Sequence, residues 1–300
     1  MAGLQAYIYG SYMLIASTIY NYIIGNVAVA YEGRYSATGV NANDLTLILM
    51  IGLPVAMQLF FAASRGKVGT ILKLINLLYV PLAIYSIVLT GSRTSLIAII
   101  PFGVYLVVTQ QIKFDQKISV FAILMISLLA FLPFIPESVI NRLGTIGSSI
   151  GEGDLGGRIE LWRETIAVLA EHPVLGIGSG AIMSSIGSAV HNTLLSIAAD
   201  TGIIGLILFL LILGTVVHQA VSLPKGTAGL WLAIFLTWLI GVLSLSWDVK
   251  KLTWIILSLV IIESSFGAQL NAQESSSPFP ETIQPFFRTD DSASKRRVLS

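Results

Sequence analysis

Cysteine is absent from the 300 residues of this chain, and charged residues make up only 11% of it. Without cysteine there are no disulfides, no thiolate metal ligands and no cysteine nucleophile. Soluble domains carry roughly 25% charged residues, so this composition argues against the ordinary water-soluble classes. The 17 Lys and Arg nearly balance the 16 Asp and Glu. Because a nucleic-acid-binding protein needs a basic excess, we expect no nucleic-acid partner.

Hydrophobic residues make up 55% of the chain, and the mean hydropathy is +0.83. They form solid blocks of about 17–25 residues, the length of helix that crosses ~30 Å of hydrocarbon. Solid runs indicate helices, because a membrane barrel would show alternating segments of about ten residues. Eight blocks are predicted as spans: 4–24, 44–63, 70–90, 94–109, 118–135, 193–217, 228–247 and 251–267. No Lys or Arg precedes Arg34, so the first block is predicted to be a retained span and not a signal peptide.

The predicted fold class is all-α, a polytopic integral membrane helical bundle of about eight spans. Spans 1 to 5 occupy residues 1–135, and spans 6 to 8 occupy residues 191–267. Residues 136–190 between them are too long for a simple connection and are predicted to form one extracytoplasmic loop. The polar, proline-interrupted residues 268–300 predict a disordered cytoplasmic tail.

The positions of Lys and Arg predict how the bundle is oriented. If the N-terminus is cytoplasmic, every inner connection carries positive charge, at 64–67, 113–117, Lys225 and 295–297. Lys250 and Lys251 lie on the outer side in this topology and count against it. The long loop and the polar groups that could perform chemistry then share the extracytoplasmic face.

An isolated arginine stands in the sequence Thr90-Gly91-Ser92-Arg93, with no acidic residue within ten positions on either side. An arginine at a membrane edge needs a partner, a water-filled cavity or the interface. Two interpretations stay open: a side chain that snorkels at a helix end, and an anion-binding group whose planar fork fits phosphate oxygens. The missing carboxylate favours anion binding, in which the Ser92 hydroxyl is a further donor.

The long loop contains a predicted helix that follows the glycine-rich residues 151–157. Helical spacing relates Ile159, Trp162, Ile166 and Leu169, which predicts a short amphipathic helix on the outer surface with Trp162 at the membrane interface. Arg158 opens this helix. It is either a solvated residue paired with a nearby glutamate or a group that closes over a ligand.

The glycine run at 176–180 is similar to a nucleotide-binding loop, but no strand precedes it and no βαβ unit surrounds it. A tight turn explains the glycines, so we expect no nucleotide cofactor. His191, followed by Asn192, stands at the start of the sixth block, where it is either a structural hydrogen bonder or a catalytic base. No two histidines have metal-ligand spacing, and no metal site is predicted.

Two further polar residues each allow more than one interpretation. Asp200 lies about nine residues into the sixth block, where it can face a polar cavity, cap a helix break at Gly202 or pair with an arginine. Arg34 is either a third phosphate ligand or an exposed side chain, and exposure is the expectation.

Taken in order, these segments resemble the O-antigen ligase and O-antigen polymerase superfamily of bacterial membrane glycosyltransferases. The resemblance covers about residues 30–265 and is carried by these segments: the loop Arg34 to Asn43, Thr90-Gly91-Ser92-Arg93, Gly157-Arg158 to Trp162, His172-Pro173 with Gly176-Ile177-Gly178-Ser179-Gly180, and His191-Asn192 leading to Asp200-Thr201-Gly202. Their shared order and common face make the combination more specific than any one motif.

The resemblance implies transfer or polymerisation of a glycan, from a polyprenyl-pyrophosphate carrier onto an acceptor hydroxyl, at the outer face of the bacterial plasma membrane. It implies that neither a nucleotide sugar nor ATP is needed, and we predict a metal-independent enzyme without a cofactor. The partners are the lipid-linked glycan donor, a glycan, lipid or protein acceptor, and membrane lipid. In this family pattern His191 is the catalytic residue, and Arg93 and Arg158 bind the pyrophosphate. Further candidates are Arg34, Ser92, Asn192 and Asp200.

Two alternatives stay open beside this enzyme. A transporter would carry polar residues at mid-membrane in broken helices and an internal repeat of spans, and we find no such repeat in the sequence. A non-catalytic protein that binds lipid-linked glycans would keep the arginines but would not require His191.

Overall fold

The structure is a computed structural model that describes residues 2–27, 33–64, 66–108, 114–144 and 158–276. Every regular element among these residues is helical, which confirms the all-α class for the described part of the chain. The helices are α1 (Ala2–Ile23), α2 (Ala42–Ala62), α3 (Lys67–Leu89), α4 (Ser95–Ala98), α5 (Ile100–Val108), α6 (Phe114–Phe131), α7 (Glu137–Gly144), α8 (Arg158–Glu171), α9 (Ala181–Ile186), α10 (Thr193–Ser222), α11 (Lys225–Val242) and α12 (Lys251–Ser276), with a 3₁₀ turn at Leu132–Phe134.

Helix α2 lies at the centre of the bundle. Most of its residues are buried, and it packs against α1, α3, α4, α5 and α11. It begins after Asn41, whose side-chain oxygen accepts a hydrogen bond from the Asn43 N–H at 2.8 Å. Asp44 lies in its first turn, where a negative charge is favourable. The polar start of α2 is therefore fixed at the end of the bundle where the candidate residues lie.

Four helices are long and apolar enough to cross a membrane: Ala42–Ala62, Lys67–Leu89, Thr193–Ser222 and Lys225–Val242. They account for four of the eight predicted spans. The blocks at 4–24, 94–109, 118–135 and 251–267 are helical over most of their length. Their assignment as spans stays a prediction, as does the extracytoplasmic position of 136–190.

The predicted span at 94–109 is divided into two short helices, α4 and α5, which meet at Ile99. Proline at position 101 lacks an N–H, so the carbonyl of Ile97 loses its ordinary helical partner four residues later. The sequence block reads as continuous because all residues around the break are apolar.

Helix α10 contains a break that shortens its membrane-crossing part. Gly202 has φ 69° and ψ −173°, which is not helical. The remainder from Ile203 to Ser222 is about 20 residues, roughly 30 Å of helix, and is sufficient to cross the hydrocarbon. Asp200 therefore lies in the turn before this stretch and not inside a continuous span.

The outer faces of the long helices are apolar. On α3, Val68, Ile71, Leu74 and Leu78 are all exposed and share one helix face. On α10, Ile204, Leu208 and Leu211 are exposed in the same way. Such large exposed apolar faces suit lipid and not water, so this is a multi-pass membrane protein.

Four connecting segments meet at one end of the bundle, and we call them the loop cluster: 33–41, 90–94, 187–192 and 243–250. The Tyr35 N–H donates to the Leu89 carbonyl at 3.0 Å, which joins the first segment to the end of α3. Thr94 Oγ1 lies 3.0 Å from Ser244 Oγ, and the His191 N–H donates to Ser246 Oγ at 3.0 Å. These bonds bring together segments that are far apart in the sequence.

The last helix extends beyond the predicted boundary of the polar tail. Helix α12 continues to Ser276, past the predicted start of the tail at 268. Residues 268–274 are Ala-Gln-Leu-Asn-Ala-Gln-Glu, and most of them have high helix propensity, so they continue the helix although they are polar. Residues 277–300 of the predicted tail, and the glycine-rich 151–157, lie outside the described residues.

Candidate active site

Arg34 fastens the first segment of the loop cluster to the ends of two helices. Its Nε donates to the Thr90 carbonyl at 2.7 Å, and its Nη2 donates to Asn43 Oδ1 at 2.8 Å. The residue is only 2% exposed, so the expected exposure of Arg34 is wrong. The sequence shows a loop full of turn formers, but it does not show that this loop folds back over α2 and α3.

The segment with Arg93 is a tight turn between α3 and α4. Gly91 has φ 57°, a left-handed conformation that favours glycine. The Ser92 N–H donates to Thr90 Oγ1 at 3.2 Å, and the Ser92 carbonyl accepts from Ser95 Oγ at 2.5 Å. Ser92 itself is buried, and it lines a cavity of about 10 Å³ with room for one water molecule. Arg93 therefore projects from a turn whose backbone is held on several sides.

The glycine run packs against the broken turn of α10, and we call this contact the glycine junction (residues 173–182 with 199–203). The N–H groups of Ile177 and Gly178 donate to the carbonyls of Ala199 and Asp200, at 3.0 and 2.9 Å. The Ile203 N–H donates to the Pro173 carbonyl at 2.9 Å. The break at Gly202 frees these α10 groups from helical pairing.

Glycine is required at two positions of this junction because the backbones approach closely. A Cβ atom on Gly176 would overlap the backbone of Ala199 and Asp200. A Cβ atom on Gly202 would overlap the carbonyl of Val174, and both glycines have positive φ. The glycines therefore serve backbone packing, and this agrees with the interpretation of 176–180 as a turn and not a nucleotide loop.

Asp200 completes the junction with its side chain. Oδ2 accepts from the Gly180 N–H and Oδ1 from the Ile182 N–H, each at 2.8 Å. The residue is 4% exposed. These bonds cap the start of α9 and not the break at Gly202, and Asp200 also lines a cavity, which is one of the three roles left open for it.

Helix α8 forms as predicted, but of its predicted apolar stripe Trp162 packs inward whereas Ile159 and Ile166 do not. The Trp162 indole N–H donates to the Val190 carbonyl at 3.0 Å, and Trp162 and Val168 pack against Ile182 and Val190. Thr165 is the buried residue of the helix, with its hydroxyl bonded to Leu161 O. Ile159 and Ile166 are exposed. The sequence pattern misses this face because a buried threonine looks polar.

His191 adopts an uncommon backbone conformation at the start of α10. Its φ is 56°, and it is the one residue other than glycine with positive φ in the described part of the chain. Strained conformations of this kind persist where surrounding contacts hold them and concentrate at functional sites. Here the Ser246 bond holds the His191 N–H. Asn192, the next residue, caps α10 by accepting from the Leu195 N–H at 3.1 Å, which is a structural role.

Thr193 and Asp44 anchor the 243–250 segment beside His191. Thr193 Oγ1 donates to the Leu245 carbonyl at 2.7 Å and accepts from the Trp247 N–H at 2.8 Å. The Trp247 indole N–H donates to Asp44 Oδ1 at 2.7 Å, and Lys250 Nζ donates to Asp44 Oδ2 at 3.0 Å. The sequence shows Asp44 only as part of a helix start, since its partners lie more than 200 residues away.

The pKa of His191 is lowered below its ordinary value of 6.5. Burial is the largest cause, because it disfavours the charged ring, and the positive charge of Arg158 acts in the same direction. The carboxylate of Asp44 opposes them. Arg158 is therefore within electrostatic reach of His191, and the imidazole is neutral at neutral pH.

Beside His191 lies a cavity of about 380 Å³, which we call the His191 cavity. Its lining includes Asp44, His191, Ser246 and Asp248, together with Asp200, Lys250, Met183 and Asn41. Ligand pockets are commonly ~300–1,000 Å³ with a few convergent polar groups, which this cavity matches. Among the described residues that line it, none is one of the predicted arginines Arg34, Arg93 or Arg158.

The structure thus gathers most predicted residues at one end of the bundle without placing all of them in one pocket. Arg158 acts on His191 through its charge, and the Arg93 turn is joined to the segment that holds His191 through Thr94 and Ser244. The side chains of Arg34, Asn192 and Asp200 make hydrogen bonds that join segments of the chain or cap helices. Within the described residues, no three His, Asp or Glu side chains are grouped as a metal site would require.

Residues 78–210 match the family model described as O-antigen ligase. The chain carries an O-antigen ligase domain. This domain supports membership of the O-antigen ligase superfamily, as the sequence resemblance predicts. The O-antigen ligase domain contains Arg93, Arg158 and His191, whereas Arg34 and the 243–250 segment lie outside the matched residues. No curated protein matches the chain.

Proposed function

We propose that this protein transfers a glycan from a polyprenyl-pyrophosphate carrier onto an acceptor hydroxyl, at the extracytoplasmic face of a bacterial plasma membrane. Its O-antigen ligase domain supports glycan transfer in the biosynthesis of cell-surface polysaccharide. The observation that carries the proposal is the setting of His191, a neutral imidazole with a strained backbone beside a ligand-sized cavity.

In this proposal His191 is the general base. A neutral imidazole nitrogen takes the proton of the acceptor hydroxyl as its oxygen attacks the anomeric carbon of the donor sugar. The lowered pKa keeps the ring neutral at physiological pH, so it is ready to accept a proton. The positive φ of His191 and the Ser246 bond hold its backbone in place at the start of α10.

Arg93 and Arg158 stabilise the leaving group. As the bond between the anomeric carbon and the pyrophosphate oxygen breaks, the electron pair goes to the pyrophosphate, and negative charge develops there. A guanidinium donates two parallel hydrogen bonds to phosphate oxygens and keeps its charge at all relevant pH values. The arginines supply the positive charge that a metal ion supplies in other transferases, so we propose a metal-independent reaction.

One base and one good leaving group favour a single displacement, which inverts the configuration of the anomeric carbon. Among the described residues, three aspartates line the His191 cavity, and two of them, Asp44 and Asp200, are bonded to other groups, so no pair of available carboxylates is present for a double displacement. Analysis of the product by NMR is expected to show the inverted anomer. A product with retained configuration would contradict the single displacement.

The proposal is tested with purified full-length protein in proteoliposomes. The donor is a polyprenyl-pyrophosphate-linked oligosaccharide, the acceptors are a panel of sugar-terminated glycolipids, and no nucleotide or divalent metal is added. We expect a glycosylated acceptor and an equal amount of free polyprenyl pyrophosphate, with no loss of rate in EDTA. Donor binding without transfer to any acceptor would instead support the non-catalytic glycan-binding alternative.

A further inference from the structure

Asp248 differs from the other two aspartates that line the His191 cavity. Asp44 accepts hydrogen bonds from Trp247 and Lys250, and Asp200 accepts two from backbone N–H groups. Asp248 Oδ1 is buried and accepts no hydrogen bond from any described residue. Buried polar atoms are nearly always hydrogen-bonded, and an unpartnered carboxylate oxygen beside a cavity can accept a hydrogen bond from a ligand bound there.

The backbone around Asp248 is held in place, so its side chain is presented by a rigid turn. The Asp248 carbonyl accepts from the Trp254 indole N–H at 2.8 Å. On one side of Asp248, Trp247 is bonded to Thr193 and Asp44, and on the other, Lys250 is bonded to Asp44. A carboxylate on such a turn can recognise a ligand with little loss of conformational entropy.

Asp248 lies where two cavities meet. It lines the His191 cavity and also a second cavity of about 290 Å³ between α10 and α12. The second cavity has apolar walls from Leu208, Phe209 and Ile212 on the membrane side. A group at Asp248 is therefore next to the proposed base and also next to an apolar surface that suits the lipid part of a substrate.

The charges of the His191 cavity indicate which substrate occupies it. Three aspartates and one lysine are among the described residues that line the cavity, and Lys250 is paired with Asp44, so the cavity has a negative excess that would repel the pyrophosphate of the donor. None of the predicted pyrophosphate-binding arginines is among these described residues. An acceptor sugar is uncharged at its hydroxyl groups, and each hydroxyl can donate a hydrogen bond to a carboxylate oxygen. The Oδ1 atom of Asp248 has no donor among the described residues, so it can accept a hydrogen bond from an acceptor hydroxyl.

We propose that the His191 cavity is the acceptor subsite and that Asp248 binds a hydroxyl group of the acceptor sugar, next to the hydroxyl that His191 deprotonates. This inference rests on the proposed function. Burial raises the pKa of the Asp248 carboxyl, the backbone N–H of Asp248 acts against this rise, and the nearby charge of Asp200 adds to it. A hydrogen bond donated by the acceptor hydroxyl stabilises the ionised carboxylate of Asp248. Asp248 is thus a specificity-determining residue for the acceptor.

The first test compares Asp248→Asn with the wild type in the transfer assay. The KM for the acceptor should rise roughly 10- to 100-fold, since a hydrogen bond to a charged group is lost, while the KM for the donor stays unchanged. Glu263→Gln is the matched control, because it removes an exposed carboxylate from α12 without approaching either cavity. A rise in both KM values, or in neither, would contradict the assignment.

The second test separates recognition from a structural role of Asp248. Acceptors that each lack one hydroxyl group are assayed with both proteins. With the wild type, removal of one particular hydroxyl from the acceptor should lower kcat/KM by the same factor as Asp248→Asn does with the complete acceptor. The Asp248→Asn variant should use the complete acceptor and this deoxy acceptor with equal kcat/KM. If the variant still discriminates by the wild-type factor, Asp248 does not bind that hydroxyl.

A third measurement does not require turnover, so it separates this inference from the proposed function. Saturation-transfer NMR with methyl glucoside, methyl galactoside and methyl N-acetylglucosaminide probes sugar binding to the detergent-solubilised protein without donor. A saturation-transfer signal from at least one sugar should be seen with the wild type and with Glu263→Gln, and it should be lost with Asp248→Asn. The three proteins should have equal melting temperatures. Absence of sugar binding in the wild type, or equal binding in Asp248→Asn, would overturn the inference.

Discussion

The glycine junction and the His191 cavity are neighbours that share Asp200, but they are built differently. In the junction, the N–H groups of 177–178 donate to the carbonyls of 199–200, the Ile203 N–H donates to the Pro173 carbonyl, and the Asp200 side chain accepts from two more N–H groups. In the cavity, His191 has a strained backbone and a lowered pKa, and Asp248 keeps an unpaired oxygen. The comparison teaches that the glycines of this motif build a support of paired backbone groups, while the proposed chemistry is assigned to the region where polar groups are left available.

The largest expected effect comes from the cavity side. His191→Ala should lower the single-turnover rate by about 10²–10⁴, because general-base catalysis contributes that much. Donor affinity and melting temperature should change little, since the role of the base is confined to the transition state. Equilibrium donor binding and single-turnover kinetics on one purified variant check this. Parallel losses in affinity and rate would mean that His191 is structural.

A smaller loss is expected from charge-conserving changes at the two arginines. Arg93→Lys should lose most of the transfer activity, because an ammonium group keeps the charge but not the bidentate fork. Arg158→Lys should lose less, if Arg158 closes over the donor from the long loop. Donor KM and kcat of both variants are the measurement. Wild-type behaviour of Arg93→Lys would support the snorkelling interpretation.

The junction side should respond in stability and not in chemistry. Gly202→Ala should destabilise the fold by about 2–4 kcal/mol, from the positive φ and the overlap with the Val174 carbonyl. Gly214→Ala is a control in the same helix, where an added Cβ meets no atom within 4 Å. Thermal unfolding in detergent should separate the two variants. Equal melting temperatures would mean that the junction is not held by close backbone contact.

The smallest effect is expected from the C-terminal segment. Deletion of residues 277–300 removes no group of the loop cluster, so transfer and membrane insertion should both be retained. Activity of the shortened protein in proteoliposomes checks this. A loss of transfer with normal insertion would show that the segment takes part in function.

The sequence predicts the helices well because apolar block length is a local property. It predicts His191 and Arg158 through motif order, and the structure brings these two within electrostatic reach. It misses the burial of Arg34, whose partners lie on α2 and after α3, and the involvement of Asp44, whose partners are Trp247 and Lys250. Such contacts between distant segments depend on tertiary packing, and no local pattern of residues encodes them.

The role of His191 as base is tested most directly by the pH dependence of kcat/KM for the donor, which reports the pKa values of the free enzyme. Only the neutral ring accepts a proton, and the His191 pKa is lowered, so the rate should stay high at neutral pH and fall at a midpoint below 6.5. Arg158→Gln removes a positive neighbour, so the midpoint should move to higher pH. A profile without an acid limb, or a midpoint that Arg158→Gln leaves unchanged, would contradict the account.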